Sequence, residues 1–204
     1  MKNHILNFCL LCFISANISI CAQDSGTASE NIIDSGAIYE YTAQQLNNTD
    51  TIPGYESKKN KLKISGTIYR SDGVTPAKDV ILYIEQADEN GDFDLREENG
   101  IRYVHNRACI KTDTNGHYTF YTYVPGNDRR FNQMQQLYPI IKEPSKPEYE
   151  IATFLFDEDP LLSKQCRKRL AKKGDQTRIL KLNKADGLLV TQKDIILQDV
   201  LVMK

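Results

Sequence analysis

The side chains in this chain that could hold a metal or act as nucleophiles are few enough to place one by one. Besides His4, the only histidines are His105 and His117. Neither belongs to a His-x-His phrase, and no CxxC pair occurs, so a zinc site of the usual ligand spacing is excluded. His117 follows Asp113-Thr114-Asn115-Gly116 and reads as a solvent-facing strand residue beside a tight turn. His105 ends a long polar stretch and reads as a surface histidine. Of the cysteines, Cys9, Cys12 and Cys21 fall in an apolar leader, which leaves Cys109 and Cys166. An exported compartment permits a disulfide between these two. The sequence does not show whether they come close enough to pair, and Cys109 alternates like a buried strand residue.

The leader is Met1–Ala22. Lys2 gives a positive start, Ile5–Ile20 is mostly apolar, and Ile20-Cys21-Ala22 precedes a polar run from Gln23. This is the pattern of a secretory signal peptide cut after Ala22, and it implies a periplasmic or extracellular protein. The apolar stretch is interrupted by Asn7, Ser15 and Asn17 and is short for a membrane span. A lipid anchor on Cys21 is disfavoured by the bulk of Ile20 before it. The leader carries Lys2 and no acid, so the remainder holds 25 basic against 27 acidic residues, a balance of −2. Such a balance argues against nucleic acid, which calls for a basic stripe to neutralise phosphates. Arg167-Lys168-Arg169 with Lys172-Lys173 reads as a solvated helix face among compensating acids. At 40% hydrophobic and 26% charged residues, the whole chain has a globular composition.

The elements that must position any site are legible from period and turn residues. Gln23–Lys61 is polar and weakly periodic, an N-terminal arm. Residues 62–204 follow as one domain. Leu62, Ile64, Gly66 and Ile68 alternate with polar residues, as a strand with one buried face requires. Val80, Leu82 and Ile84 then line one face of a second strand with Ile81 and Tyr83 on the other, which predicts a central strand packed on both sides. Asp88–Asn106 is a long polar excursion with two Asn-Gly steps, and excursions of that length often carry function. Ala108–Lys111 and His117–Val124 read as strands joined by a hairpin connection, with Gly116 at a positive φ. Leu137–Lys142 and Tyr149–Phe156 are further strands. Asp159-Pro160 reads as the N-cap and first residue of a short helix stopping at Gly174. Thr177–Leu182 and Leu188–Leu197 close the domain. Many short strands with one short helix near the end predict an all-β, antiparallel β-sandwich.

Several phrases in this order are shared with known sandwich families: Gly66-Thr67-Ile68, Thr75-Pro76-Ala77, Thr112-Asp113, Gly116-x-Tyr118-x-Phe120 and Pro125-Gly126. Transthyretin-like and carboxypeptidase-regulatory-like modules carry them too, and that resemblance implies a structural or surface-assembly role, with oligomers through exposed edge strands. Three further phrases tip the balance: Gln86-Ala87-Asp88-x-x-Gly91, Pro139-Ile140-Ile141-Lys142-Glu143-Pro144 and Phe154-Leu155-Phe156-Asp157-x-Asp159-Pro160. With them, residues 62–197 resemble the intradiol ring-cleavage dioxygenases, in particular exported Bacteroidota-type versions.

That resemblance implies a non-haem Fe(III) held by two tyrosinates and two histidines. Phenolates are hard anions that stabilise the ferric state, and neutral imidazoles complete the set. The family's first tyrosine position falls on Phe93, which keeps the ring and lacks the oxygen. Its second falls on Asp128, after Pro125-Gly126. The His-x-His phrase before the Pro-Ile-Ile run is Gln136-Leu137-Tyr138 here. None of the four ligands matches, so the expectation is a protein without a metal or other cofactor and without catalytic residues. The alternative, an active dioxygenase with an altered site, would need Fe(III). If the fold holds, Arg107, Asp128, Gln136 and Tyr138 converge as a hydrogen-bonding cup for a small polar ligand. The partner is then a small molecule or a protein of unspecified identity.

Overall fold

Alternation in the sequence becomes burial in the structure. In a computed structural model, which describes Ile38 and residues 46–198, Leu62, Ile64 and Ile68 are buried on one strand while their neighbours are less so. Ile81–Gln86 is buried at all six positions, as its two apolar faces predict. The Met1–Ala22 leader and most of the Gln23–Lys61 arm lie outside the described residues.

The elements in chain order are β1 (Thr49–Thr51), β2 (Lys61–Tyr69), β3 (Ile81–Gln86), β4 (Leu95–Glu98), β5 (Ile101–Val104), β6 (Arg107–Lys111), β7 (His117–Tyr123), β8 (Gln136–Lys142), β9 (Glu148–Glu150), β10 (Phe154–Phe156), α1 (Lys164–Lys173), β11 (Ile179–Leu180), β12 (Asn183–Ala185), β13 (Leu188–Gln192) and β14 (Ile195–Ile196). One sheet runs β1-β7-β2-β13-β12, with β14 also on β2. A second runs β11-β10-β8-β3-β6, with β9 also on β8, and β4-β5 form a separate pair. A single apolar cluster draws on both large sheets: Leu62, Ile64 and Phe120 from the first meet Leu82, Ile110, Leu137, Phe154 and Phe156 from the second. Each such side chain contributes roughly 1.5–3 kcal/mol by leaving water. A smaller cluster of Ile81, Tyr83, Cys109 and Ile140 lies on the opposite face of the second sheet and is covered by Ile38.

The sheets are mixed, which corrects the antiparallel expectation. β1 pairs parallel with β7, β13 and β14 pair parallel with β2, and β11 pairs parallel with β10. Period alone reports which residues face inward and not which strand lies alongside. The expected hairpin between β6 and β7 is also corrected. β6 pairs with β3 and β7 with β2, so Asp113–Gly116 carries the chain from one sheet to the other. As an arch, it lets Ile110 and Phe120 share the apolar cluster between sheets. The turn chemistry itself is as expected. The Asp113 carboxylate accepts from the N–H groups of Asn115 and His117, and Gly116 has φ +70°. The helix begins later than expected. Ser163 is its N-cap, accepting from the Cys166 N–H at 3.2 Å, and Gly174 in the left-handed region ends it. Cys109 and Cys166 are both free thiols.

Two loops that flank the second sheet are locked together by glycines. A Cβ on Gly126 would stand 2.5 Å from the Glu89 carbonyl oxygen and the Gly91 nitrogen, and one on Gly91 2.8 Å from the Asn127 carbonyl. This close approach lets the Gly126 N–H donate to the Asp88 carbonyl at 2.8 Å. We expect Gly126→Ala to destabilise the protein by about 2 kcal/mol or more through backbone displacement. Gly100→Ala, with open space around it, should cost only about 1 kcal/mol for its positive φ. Urea denaturation of both variants measures the difference, and equal losses would contradict the interlock.

Candidate functional site

The register of three strands sets out the candidate site. Glu85 of β3 stands opposite Tyr138 of β8 on one side and opposite Arg107 of β6 on the other. Because alternate strand residues face opposite ways, Gln136 and Tyr138 share the face of Glu85, Tyr83 and Arg107, while Leu137 and Ile84 turn into the apolar cluster.

Each position that the resemblance picks out can now be placed. The ring of Phe93, at the start of the excursion after β3, packs edge-on against Tyr138 with centroids 5.5 Å apart. The Gln136 side-chain amide donates to the Tyr138 phenol oxygen, and the Gln133 amide reaches the same oxygen at 3.5 Å. Gln136 accepts from the Thr153 hydroxyl at 3.2 Å, and Arg178 donates to that hydroxyl at 2.7 Å. Asp128 is 6% exposed, and its carboxylate takes hydrogen bonds from the Arg130 guanidinium at 2.7 and 3.0 Å. Its backbone exchanges two hydrogen bonds with Gln133. Phe93, Gln136 and Tyr138 are therefore in one contact network, and Asp128 joins it only through Gln133. Arg107 sits on the far side of Glu85, its guanidinium 3.6 Å from the Tyr103 ring centre.

The loops around these residues are held by a buried carboxylate. Asp159, expected as a helix cap, instead accepts from the Gln135 N–H at 2.7 Å, the Leu161 N–H at 2.9 Å and the Asn127 side chain at 3.4 Å. It thereby fastens both ends of the loop that carries Asp128.

Burial governs the titration of the site. Glu85 is 3% exposed, and desolvation pushes its carboxyl up to about 7, against the hydrogen bond from Tyr83 and the charge of Arg107, with Glu150 adding to the rise. Tyr138 is raised by burial, while its hydrogen bonds from Gln136 and Gln133 oppose the shift. Asp128 is held below the usual carboxylate range, chiefly by the Arg130 side chain. His105 is lowered by burial, and His117 lies 3.7 Å from Asp113 at the turn. Among the described residues, no group of three or more His, Cys, Asp and Glu side chains is placed to hold a metal ion.

Glu85, Gln133, Thr153 and Tyr103 were not singled out from the sequence. For Glu85 a signal existed: it directly follows the apolar run Ile81–Ile84 on a strand packed on both faces, and an acid so placed is buried with partners or stands near a site. Gln133 and Thr153 gave none, because their roles depend on loop packing.

No family model matches the sequence, and no curated protein matches it significantly. Solved structures do match its fold. The dioxygenase domain of a dioxygenase–carbohydrate-binding fusion from Streptomyces sp. SirexAA-E superposes with a TM-score of 0.57 at 18% identity, over 76% of this chain and 92% of that one. An intradiol ring-cleavage dioxygenase from Tetranychus urticae gives 0.56 at 15%, over 76% and 87%. The 3-chlorocatechol 1,2-dioxygenase of Rhodococcus opacus 1CP gives 0.52 at 20%, over 72% and 63%. The fold of this chain is thus similar to that of the intradiol dioxygenases.

Proposed function

We propose that this chain is an exported, intradiol dioxygenase-like protein that does not cleave aromatic rings and instead binds a small polar or aromatic ligand on the Tyr138 face of its second sheet. The observation that carries this reading is the donor set. A ferric site of the implied kind draws on two anionic phenolates and two imidazoles. Phe93 offers no donor atom, Gln136 is a neutral amide, and the charge of Asp128 is already met by Arg130. Tyr138 is the single phenol at the four positions, and its oxygen accepts from Gln136. These residues do not fit a ferric ion, and no chemistry is routed through one. Export follows from the Met1–Ala22 leader. Among the described residues, no helix is long and apolar enough to cross a membrane.

What the face offers is recognition. Arg107, half-buried and stacked on Tyr103, presents a cation, and the half-buried Tyr138 and Gln136 present a phenol and an amide, while the buried Glu85 between Arg107 and Tyr138 changes charge near neutral pH. Together they suit a flat ligand with hydroxyl or carboxyl groups. The fold shared with catechol-cleaving enzymes favours the rival reading of an active enzyme with an altered metal site, and the same experiments decide it.

After incubation with ferric ion, we expect no visible tyrosinate-to-iron absorption and no oxygen uptake above background with catechol, hydroxyquinol or protocatechuate. Oxygen uptake lost on Tyr138→Phe or Asp128→Ala would overturn the non-catalytic reading. Titration of protocatechuate without metal should move the amide resonances of Glu85, Gln136 and Tyr138, and unmoved resonances there would contradict ligand binding.

The Glu85 carboxyl gives a pH dependence with a defined sign. Its pKa rises from 4.5 to about 7 on folding, so between those values the folded state binds more protons than the unfolded one. Stability therefore falls as pH rises through this window and levels off above it. In Glu85→Gln that fall should be reduced by roughly 3 kcal/mol across the window. Urea denaturation at pH 5 and pH 8 measures it, and parallel pH profiles for the two proteins would refute the assignment.

A further inference from the structure

The second feature with the makings of a site lies beside α1 and does not depend on the binding role proposed for the Tyr138 face. A hollow of about 240 Å³ opens between α1 and β10. Its apolar lining comes from Met134, Leu155, Leu162 and Leu170, and its charged lining from Arg169, Lys173 and Arg178 with Asp175 as the one acid. Leu155 pairs across strands with Gln136, so the hollow adjoins the Tyr138 face, and Arg178 reaches both through Thr153.

The charge on α1 is not explained by the stability of the fold. Six of its ten residues are basic, none is acidic, and none is buried. Lys164–Lys168, Lys168–Lys172 and Arg169–Lys173 are like-charge pairs one turn apart, which destabilise a helix. Lys172 and Lys173 suit the helix C-terminus, whereas Lys164 opposes the dipole at the N-terminus. The compensating acids expected from the sequence are largely missing. Of the six basic side chains of α1, Arg167 is the one shown ion-paired among the described residues, with Asp157. Arg178 is pre-positioned, its Nε donating to the Thr153 carbonyl at 2.9 Å and its Nη2 to the Thr153 hydroxyl at 2.7 Å. Arg169 is drawn over the hollow by its contact with the Cys166 Sγ at 3.3 Å.

We propose that this hollow binds a carboxylate carried on a small apolar body, its head between Arg169 and Lys173 and its body against Leu155, Leu162 and Leu170. Three cations against one acid select an anion. The apolar lining selects a hydrocarbon over a sugar or a bare phosphate. At about 30 Å³ per displaced water, the volume amounts to roughly eight waters. A short aliphatic chain or a single ring fills that space, and a phospholipid does not.

Octanoate is a suitable probe, with octanamide as its neutral counterpart. Titrated into the wild-type protein, octanoate should shift the amide resonances of Leu155, Leu162 and Leu170, and octanamide should bind about tenfold more weakly. Because Arg169 and Lys173 are exposed, R169E/K173E should keep the wild-type melting temperature and lose about tenfold in octanoate affinity. No shifts at these leucines in millimolar octanoate would overturn the proposal. So would equal binding of octanamide, or full affinity in a folded double variant. The wild-type comparison of the two ligands stands even if the variant fails to fold. All of these outcomes are independent of protocatechuate shifts at Tyr138.

Discussion

The architecture depends on the burial of one strand on both of its faces. β3 lies between β6 and β8, with one side in the main apolar cluster and the other under Ile38. A strand so placed cannot slip register without sending every side chain to the wrong face. That constraint puts Glu85 between Arg107 and Tyr138. Gln86, its neighbour on the inner face, binds the Thr122 hydroxyl and the Tyr123 carbonyl of the first sheet. One strand thus ties the two large sheets together and presents the candidate site. A polar group sealed between sheets is costly unless satisfied, and among the described residues no buried side-chain nitrogen or oxygen lacks a partner.

Much of this was legible in the residues. The two apolar faces of Ile81–Gln86, the alternation from Leu62 to Ile68 and the turn at Asn115-Gly116 follow from periodicity and from the φ that glycine allows. What the residues left open was partnership. Nothing in β6 and β7 tells whether their connection folds back as a hairpin or arches across, because both arrangements bury the same side chains. The strands β10 and β11 are three and two residues long, too short for their own period to announce a parallel pair. Asp159 had the look of a helix cap because Pro160 follows it. Its carboxylate is captured by Gln135 and Asn127 from a distant loop, and Ser163 caps instead. The hairpin β4–β5 hid inside a polar excursion whose only sign was Asn99-Gly100, both at positive φ.

The candidate site was half legible. The motif order located Phe93, Gln136 and Tyr138, which do meet through ring packing and a shared hydrogen bond. It also placed Arg107 and Asp128 there. In the structure Glu85 stands between Arg107 and Tyr138, while Asp128 is committed to Arg130. Hydrogen-bond capture by neighbours such as Gln133 and Thr153 depends on loop packing and leaves no mark in sequence spacing. A fold at 15–20% identity to ring-cleaving enzymes fixes the scaffold and leaves the chemistry to the side chains. Here those side chains hold one another and Arg130.

The account rests on that substitution of donors, and elemental analysis of the protein purified from its native host tests it most directly. It predicts iron at a small fraction of stoichiometry. A full equivalent of tightly held iron per chain would contradict it.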